Sequence, residues 1–298
     1  MKGLLFIILA AACWAIDTLF RYPLLGKGVS ALQIVLFEHV ILCLIFIPFF
    51  LKFIKKIWSL SVAEVFYFFV IGFFASGVGT LCFTKAMMFL NPSVVIVLQK
   101  TQPLIALSLS SLILREQINT PFIRWAILCL IGGLMISSND LLAFYEHIKN
   151  QESLFDLKSF QGYFFALSAA ACWGAATVFG KKLSNLNFSV TELLTGRFYA
   201  ALIGLIPLSI SNFDQNIIML HGKHLLLMVL FSGLLGMFFY YQGLKEIKAK
   251  LATLAEMLFP FFAIILNWIF LGASLNMVQL AGACLLLVGS FMIQYKSY

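Results

Sequence analysis

Ala10-Ala11-Ala12-Cys13-Trp14 recurs 159 residues later as Ala169-Ala170-Ala171-Cys172-Trp173. Further identical pairs follow in chain order, first at the same spacing and then at a spacing of 157 residues. They include Thr18 and Thr177, Pro48 and Pro207, Gly79 and Gly236, Pro103 and Pro260, and Gly132 and Gly289. Chance can supply one such match but not an ordered series, so the sequence predicts two copies of one structural unit.

The chain is too apolar for a water-soluble protein. Of its 298 residues, 62% are hydrophobic and 11% are charged, and the mean hydropathy is +1.01. Soluble domains carry roughly 25% charged residues, so lipid is the solvent that this composition fits. The net charge of +8 comes mostly from short segments between apolar stretches, where it sets membrane topology. It does not indicate a nucleic-acid partner.

Ten apolar stretches are long enough to cross a bilayer, which takes about 20 residues. They occupy approximately residues 4–20, 31–51, 65–84, 93–114, 122–138, 160–180, 190–210, 224–242, 250–271 and 276–294. The most polar connection, 139–159, divides the chain into a first unit, 1–138, and a second unit, 160–298. Because five is an odd number of spans, the second unit enters the membrane from the opposite side. The predicted fold is an all-α integral membrane protein of ten transmembrane helices, arranged as two inverted five-helix repeats.

The distribution of basic residues predicts the orientation of the chain. Twelve Lys and Arg residues lie at or near the ends of the spans on the side of the N-terminus, and six, among them Arg21, lie on the other side; Lys100 and Arg197 lie within spans. The positive-inside rule then places both termini in the cytoplasm. The short loops indicate a bacterial inner membrane.

Ionisable residues within the apolar stretches are the first candidate functional groups. Such residues are costly in hydrocarbon and usually face the bundle interior or a wet cavity. At ~1.5 Å per residue, Lys85 at the end of the third span is expected to form one outer cluster with Asp17, Glu38, His39 and Lys100. For Glu38 and its repeat partner Arg197, the alternative is a buried ion pair that only holds helices together. The full set is Asp17, Glu38, His39, Lys100, Arg197 and Glu256.

Two prolines at matched positions predict a broken helix in each unit. Pro103 and Pro260 each remove one helical hydrogen bond and free the carbonyl four residues earlier, at Gln99 and Glu256. Broken helices at matched positions are typical of transporter binding sites. The alternative is a plain proline kink whose free carbonyl is bonded by Thr101 or by water.

Aromatic residues complete the candidate binding site. Trp14 and Trp173 are expected near mid-membrane, where each indole N–H needs a partner, and they either line a cavity or pack in the core. Tyr199 and Tyr240 are further candidates. The predicted substrate-binding residues are therefore Trp14, Asp17, Glu38, Gln99, Lys100, Trp173, Arg197, Tyr199, Tyr240 and Glu256, and the candidates for proton coupling are Glu38, His39 and Glu256.

These motifs resemble the EamA-type units of the drug/metabolite transporter superfamily. The segments around Trp14 and Trp173 resemble the first helix of such a unit, and Gly196-Arg197-Phe198 resembles the Arg-Phe step of its second helix. Asn91-Pro92-Ser93 followed by Pro103, and then Arg115-Glu116, resemble its fourth helix. The resemblance covers nearly the whole chain. It implies ten helices around a central cavity, transport of small metabolites or drugs, and neither a metal nor an organic cofactor.

The chain departs from the family pattern at four places. The first copy has Phe37-Glu38-His39 in place of the Arg-Phe step, and the second copy has Gly272-Ala273 in place of the Glu that ends the fourth helix. Asp17 and Lys100 are also outside the pattern. We expect these departures to mark the specificity of this protein.

The expected function is a secondary transporter or exchanger of a small polar, zwitterionic metabolite, such as an amino acid or a nucleoside derivative. Lys100 would then hold a carboxylate, and an acid such as Glu256 would hold an ammonium group or a proton. The alternative is an exporter of hydrophobic cations or drugs. An enzyme is not expected, because no nucleophile–base pair or metal-ligand pattern is present. The expected partners are the substrate and membrane lipid, for a monomer or homodimer; the sequence leaves the direction and coupling of transport open.

Overall fold

The computed structural model describes residues 2–90, 95, 98–99, 101–136, 138, 142, 145–146, 149, 157–209, 216–271 and 276–295. Within these ranges the elements of regular structure are helices. The polar connection 139–159, which was predicted to join the two units, lies largely outside the described residues, and Lys100 lies outside them as well.

The first half of the chain contains seven α-helices and one π-helical segment among the described residues. They are α1 (Lys2–Gly26), α2 (Ala31–Ile45), α3 (Ile47–Ile57), α4 (Val62–Phe69), π1 (Val70–Gly79), α5 (Thr80–Phe89), α6 (Gln102–Ile113) and α7 (Thr120–Ile136).

The second half has a parallel set of elements over the residues that are described there. They are α8 (Leu157–Asn185), α9 (Val190–Ser209), α10 (Asn216–Met228), π2 (Val229–Gly236), α11 (Met237–Glu246), α12 (Ala249–Glu256), α13 (Phe259–Leu271) and α14 (Met277–Tyr295).

Five helices in the described part of the chain are long and apolar enough to span a membrane, and a sixth span results if α2 and α3 are joined. Sequence analysis predicts ten spans. Part of the difference comes from the fourth stretch of each copy, which is divided into shorter helical pieces such as α6. The all-helical fold is shown, whereas the ten-helix inverted arrangement stays a prediction.

The second stretch of the first copy bends by 82° between α2 and α3. Pro48 lies in the first turn of α3, where its missing N–H is tolerated. Tyr199 donates from its hydroxyl to the Cys43 carbonyl at 2.9 Å, and its ring stacks on Phe50 at 4.0 Å between centroids. Tyr199 therefore supports this bend. Pro207, which matches Pro48 in the repeat alignment, lies inside α9 instead.

The two π-helical segments occupy matched positions, since π1 ends at Gly79 and π2 ends at Gly236, one repeat spacing later. A Cβ atom at Gly79 would lie 3.1 Å from the indole nitrogen of Trp173, and one at Gly236 would lie 2.7 Å from that of Trp14. These glycines let the third span of each copy approach the tryptophan of the other copy. Sequence reasoning missed the π-helical geometry, which is rare and often found at functional sites.

The packing between the two halves is reciprocal, because the first helix of each half packs on the third span of the other. α1 packs on π2 and α11, whereas α8 packs on π1 and α5. The indole N–H of Trp173 donates to the Ala75 carbonyl of π1 at 3.0 Å, which fixes that ring against the other half of the chain. Neither half therefore buries its first helix by itself.

The helical backbone is interrupted just before Pro103 and just before Pro260. The backbone is helical at Leu98 and Gln99, forms a turn at Thr101, and starts α6 at Gln102. In the second half α12 ends at Glu256 and α13 starts at Phe259, after a turn at the position that matches Thr101. Each proline lies in the first turn of the helix that follows the break, where no helical hydrogen bond is lost. This differs from the expectation that each proline removes a hydrogen bond within a continuous helix.

The N-terminus of α12 is capped by a side chain from the first half. The Glu116 carboxylate accepts the backbone N–H groups of Ala249 at 2.9 Å and of Lys250 at 3.0 Å. The Lys250 ammonium in turn donates to the Gln117 carbonyl and lies 4.3 Å from the centre of the Phe122 ring. A carboxylate is favourable here because the first N–H groups of a helix have no partner within the helix.

We predict that Glu116→Ala lowers the free energy of unfolding by about 1–3 kcal/mol, because it leaves two N–H groups without their acceptor. Thermal unfolding of the purified protein in detergent measures the loss. Glu116→Gln keeps one carbonyl acceptor and should lose less. Equal unfolding temperatures for wild type and Glu116→Ala would contradict this role of the cap.

Candidate functional site

A cavity of about 170 Å³ lies between helices of both halves. Its volume is more than ten times the roughly 10–15 Å³ that one water molecule needs, so it has room for a small solute. Its wall contains six aromatic rings among the described residues, together with several amide and hydroxyl side chains. The rings are Trp14, Phe83, Trp173, Phe198, Tyr240 and Phe259, and the neutral polar residues are Thr18, Ser76, Thr80, Gln99, Gln102, Thr177, Ser232 and Thr253.

Most of the predicted site residues lie on the wall of this cavity. Those that line it are Trp14, Asp17, Glu38, His39, Gln99, Pro103, Trp173, Arg197, Tyr240 and Glu256. Tyr199 does not line it, because its hydroxyl and ring are engaged at the bend between α2 and α3. Lys85 does not line it either, and its ammonium lies 5.5 Å from the centre of the Phe165 ring. Lys100 and the side chain of Pro260 lie outside the described residues.

Asp17, Arg21 and Glu38 form a buried ionic triad at one part of the wall. The Arg21 guanidinium donates to Asp17 at 2.8 Å and to Glu38 at 2.9 Å. All three residues are at least nine-tenths buried. The triad carries two negative charges and one positive charge, and it ties α1 to α2.

The position of Arg21 corrects the sequence analysis, which placed this residue in an outer loop. α1 continues to Gly26, so Arg21 lies inside the helix, one turn after Asp17. An acid and a base four residues apart on a helix face each other, and this spacing was the signal that could have located it. The expected outer cluster is thus built on Arg21, and Lys85 is not part of it.

His39 is held by hydrogen bonds at both ring nitrogens. Its Nδ1 lies 2.7 Å from the Val35 carbonyl oxygen, and its Nε2 lies 2.9 Å from the Ser76 hydroxyl. A carbonyl only accepts hydrogen bonds, so Nδ1 carries a proton, whereas the Ser76 hydroxyl can donate to Nε2 or accept from it. These two hydrogen bonds hold the ring and link α2 to π1.

Arg197 contributes a positive charge that no acid neutralises at close range within the described part of the chain. One guanidinium nitrogen donates to the Tyr241 hydroxyl at 3.1 Å, while Nε has no partner among the described residues. The residue is only 5% exposed. Because a buried cation is costly without an acceptor, this side chain is suited to bind an acceptor group of a solute.

Glu256 lies at the helix break and accepts hydrogen bonds from neutral donors. The Gln102 amide donates to one carboxylate oxygen at 2.8 Å, and the Thr177 hydroxyl lies 3.5 Å from the other. Tyr240 donates to the Thr177 hydroxyl at 2.9 Å and extends the network. Over the residues that the structure describes, no Lys or Arg forms an ion pair with Glu256.

Sequence analysis did not select several residues that complete the site. Thr177 could have been found as the repeat partner of Thr18, and Gln102 as the last residue of the polar stretch Gln99-Lys100-Thr101-Gln102. Ser76 and Thr253 gave no signal, because a single hydroxyl in an apolar stretch commonly bonds the backbone of its own helix.

Comparison with known proteins identifies the family. The model of the EamA-like transporter family matches residues 1–138 and again residues 160–295. This chain belongs to that family. The apolar helices and the family match together make it an integral membrane protein, and its relatives are transporters rather than enzymes.

Curated relatives cover the full length of the chain. The riboflavin transporter ImpX of Fusobacterium nucleatum is 30% identical, over 98% of this chain and 97% of the relative. An uncharacterised transporter of Clostridium kluyveri is 26% identical, over 99% of this chain and 94% of the relative. A solved crystal structure that is 13% identical superimposes with a TM-score of 0.70, over 97% of this chain and 93% of the other. The last match supports the fold alone.

We predict that Arg21→Met destabilises the protein by about 3–5 kcal/mol, because it leaves two buried carboxylates without their cation. Thermal unfolding in detergent measures the change. The triple variant Asp17→Asn, Arg21→Met, Glu38→Gln removes both acids as well and should recover most of the loss. An Arg21→Met protein as stable as wild type would show that the triad does not hold α1 to α2.

Proposed function

We propose that this protein is a secondary transporter of a planar heteroaromatic metabolite of the flavin type, working by alternating access. In this proposal ten transmembrane helices form two inverted repeats, 1–138 and 160–298, with both termini in the cytoplasm of a bacterium. Transport of a small metabolite follows from the family. The substrate class, the repeat inversion and the membrane are the parts that we propose.

The observation that carries this proposal is the composition of the cavity wall. Six aromatic rings surround a space that is also lined by neutral amides and hydroxyls. Aromatic side chains stack on planar rings, and amides and hydroxyls bond neutral heteroatoms without demanding a charge on the solute. The full-length similarity to a riboflavin transporter supports the same class.

Arg197 and Glu256 fit complementary roles toward such a solute. A flavin ring carries two carbonyl oxygens on either side of an N–H group. The Arg197 guanidinium, which lines the cavity, can donate to a carbonyl, and the Glu256 carboxylate can accept from the N–H. Arg197 also disfavours a hydrophobic cation, so we rank drug export below metabolite transport.

A second candidate is the zwitterionic metabolite that the sequence predicts. The specific support is that Arg197 and Glu256 line one cavity without pairing with each other. The guanidinium can hold a carboxylate, and the Glu256 carboxylate can hold an ammonium group. Lys100, the residue first expected to hold the carboxylate, lies outside the described residues.

Alternating access is supported by the matched irregularities of the two halves. The π-helical segments, the helix breaks and the tryptophan–glycine contacts all occur in pairs at one repeat spacing. If each half adopts the conformation of the other, the cavity opens toward the opposite face. Irregular backbone of this kind is tolerated at membrane depth where protein or a cavity covers it.

Reconstituted protein should take up labelled riboflavin into proteoliposomes faster than protein-free liposomes do. The competing class is tested in the same vesicles with labelled amino acids and nucleosides. Uptake of a zwitterion without riboflavin would favour the second candidate. Uptake of an apolar cation alone would contradict both candidates.

Trp14→Leu should raise the KM for riboflavin about fivefold or more, because stacking of a planar ring on an aromatic side chain contributes about 1–3 kcal/mol. Trp58 is 88% exposed and outside the cavity, so Trp58→Leu is the matched control and should keep the wild-type KM. Equal KM values for wild type and Trp14→Leu would exclude Trp14 from the binding site.

A further inference from the structure

The two helix breaks meet at one hydrogen bond. Gln102 is the first residue of α6, just after the break in the first half, and Glu256 is the last residue of α12, just before the break in the second half. The Gln102 Nε2 donates to Glu256 Oε2 at 2.8 Å. A change in the state of this carboxyl group therefore acts on the irregular segments of both halves at once.

Three further helices contribute polar groups around Glu256. Thr177 of α8 faces its second oxygen, and Tyr240 of α11 donates to Thr177. Arg197 of α9 carries a charge of opposite sign and lines the same cavity. The other charged residues on the wall are Asp17, Arg21 and Glu38 of the triad. Lys100, two residues before Gln102, lies outside the described residues.

The other acids and the histidine of the cavity are already engaged. Asp17 and Glu38 share the Arg21 guanidinium. His39 uses both ring nitrogens, one on a backbone carbonyl and one on Ser76. Glu256 differs from them because its hydrogen bonds come from neutral groups, which can rearrange without leaving a charge unpaired.

Protonation changes the hydrogen bonding of Glu256 in a defined way. A carboxylate accepts at both oxygens, whereas the neutral acid donates from the oxygen that takes the proton. The Gln102 amide can meet either form, with its NH₂ toward the carboxylate or, after rotation about its last bond, with its oxygen toward the acid. The orientation of the Gln102 amide, at the start of α6, therefore depends on the protonation state of Glu256.

We propose that Glu256 is the proton-binding residue that couples a pH gradient to transport, and that Gln102 is the positioning residue that passes its protonation state to the helix break of the first half. The proposal rests on the proposed transport function for its physiological meaning. The binding of the proton itself is a property of the protein without substrate.

The first test therefore uses purified protein in detergent, without substrate. Infrared difference spectra are recorded between about pH 5 and about pH 9, a range that covers the pKa values of buried glutamates. Wild type should show a protonated carboxyl signal that titrates in this range. Glu256→Gln should lose one titrating component of this signal, and the matched control Glu64→Gln, a change at an exposed capping residue, should retain all of it. A Glu256→Gln signal with the wild-type amplitude would overturn the proposal whatever the substrate is.

The second test measures coupling in proteoliposomes with labelled riboflavin, or with the zwitterion that the uptake screen identifies. For one proton per substrate, a gradient of one pH unit supports about a tenfold accumulation. Wild type and Glu64→Gln should show this ratio, and Glu256→Gln should show a ratio of one. Gln102→Met should keep the infrared signal but lose the accumulation. A Glu256→Gln protein that still accumulates substrate with the gradient would refute the coupling role.

Discussion

A polar group at membrane depth must find its partner inside the protein or in a wet cavity, since hydrocarbon offers none. This constraint is most severe where the helices are interrupted. The breaks after Gln99 and after Glu256 are tolerated because side chains from both halves converge there. The hydrogen bond from Gln102 to Glu256 joins the two interruptions directly. The interrupted parts of the helices thus line the cavity. The polar side chains that bond to one another at these interruptions are the same ones that face a solute.

The same constraint explains why the two halves interlock. α1 packs on the third span of the second half, and α8 packs on the third span of the first half. In each contact a tryptophan meets the glycine that ends a π-helical segment, Trp14 with Gly236 and Trp173 with Gly79. The frame is therefore shared by both halves, whereas the charges are not. The ionic triad belongs to the first half alone, and Arg197 stands at the position that matches Glu38.

The sequence was informative where the physical signal is local or repeated. The paired prolines lie next to the two helix interruptions, and the apolar composition together with the tryptophan motif led to the family. Arg21 was misplaced because the apolar stretch ends at residue 20, whereas α1 continues to Gly26. The length of the apolar stretch did not show how far the helix extends. The role of Tyr199 at the bend, and the π-helical segments, follow from tertiary packing and carry no periodic signal. The ten-helix inverted arrangement and the roles of the cavity residues remain predictions.

The central claim is that one cavity serves both faces of the membrane in turn. A single cysteine at Thr80, on the cavity wall, tests it most directly in a protein whose six native cysteines are replaced by alanine. The measurement is the rate of its reaction with a membrane-impermeant maleimide, added to either side of reconstituted vesicles. The account predicts labelling from both sides, with substrate slowing the reaction on each. Labelling from one side only, whatever the substrate and pH, would contradict it.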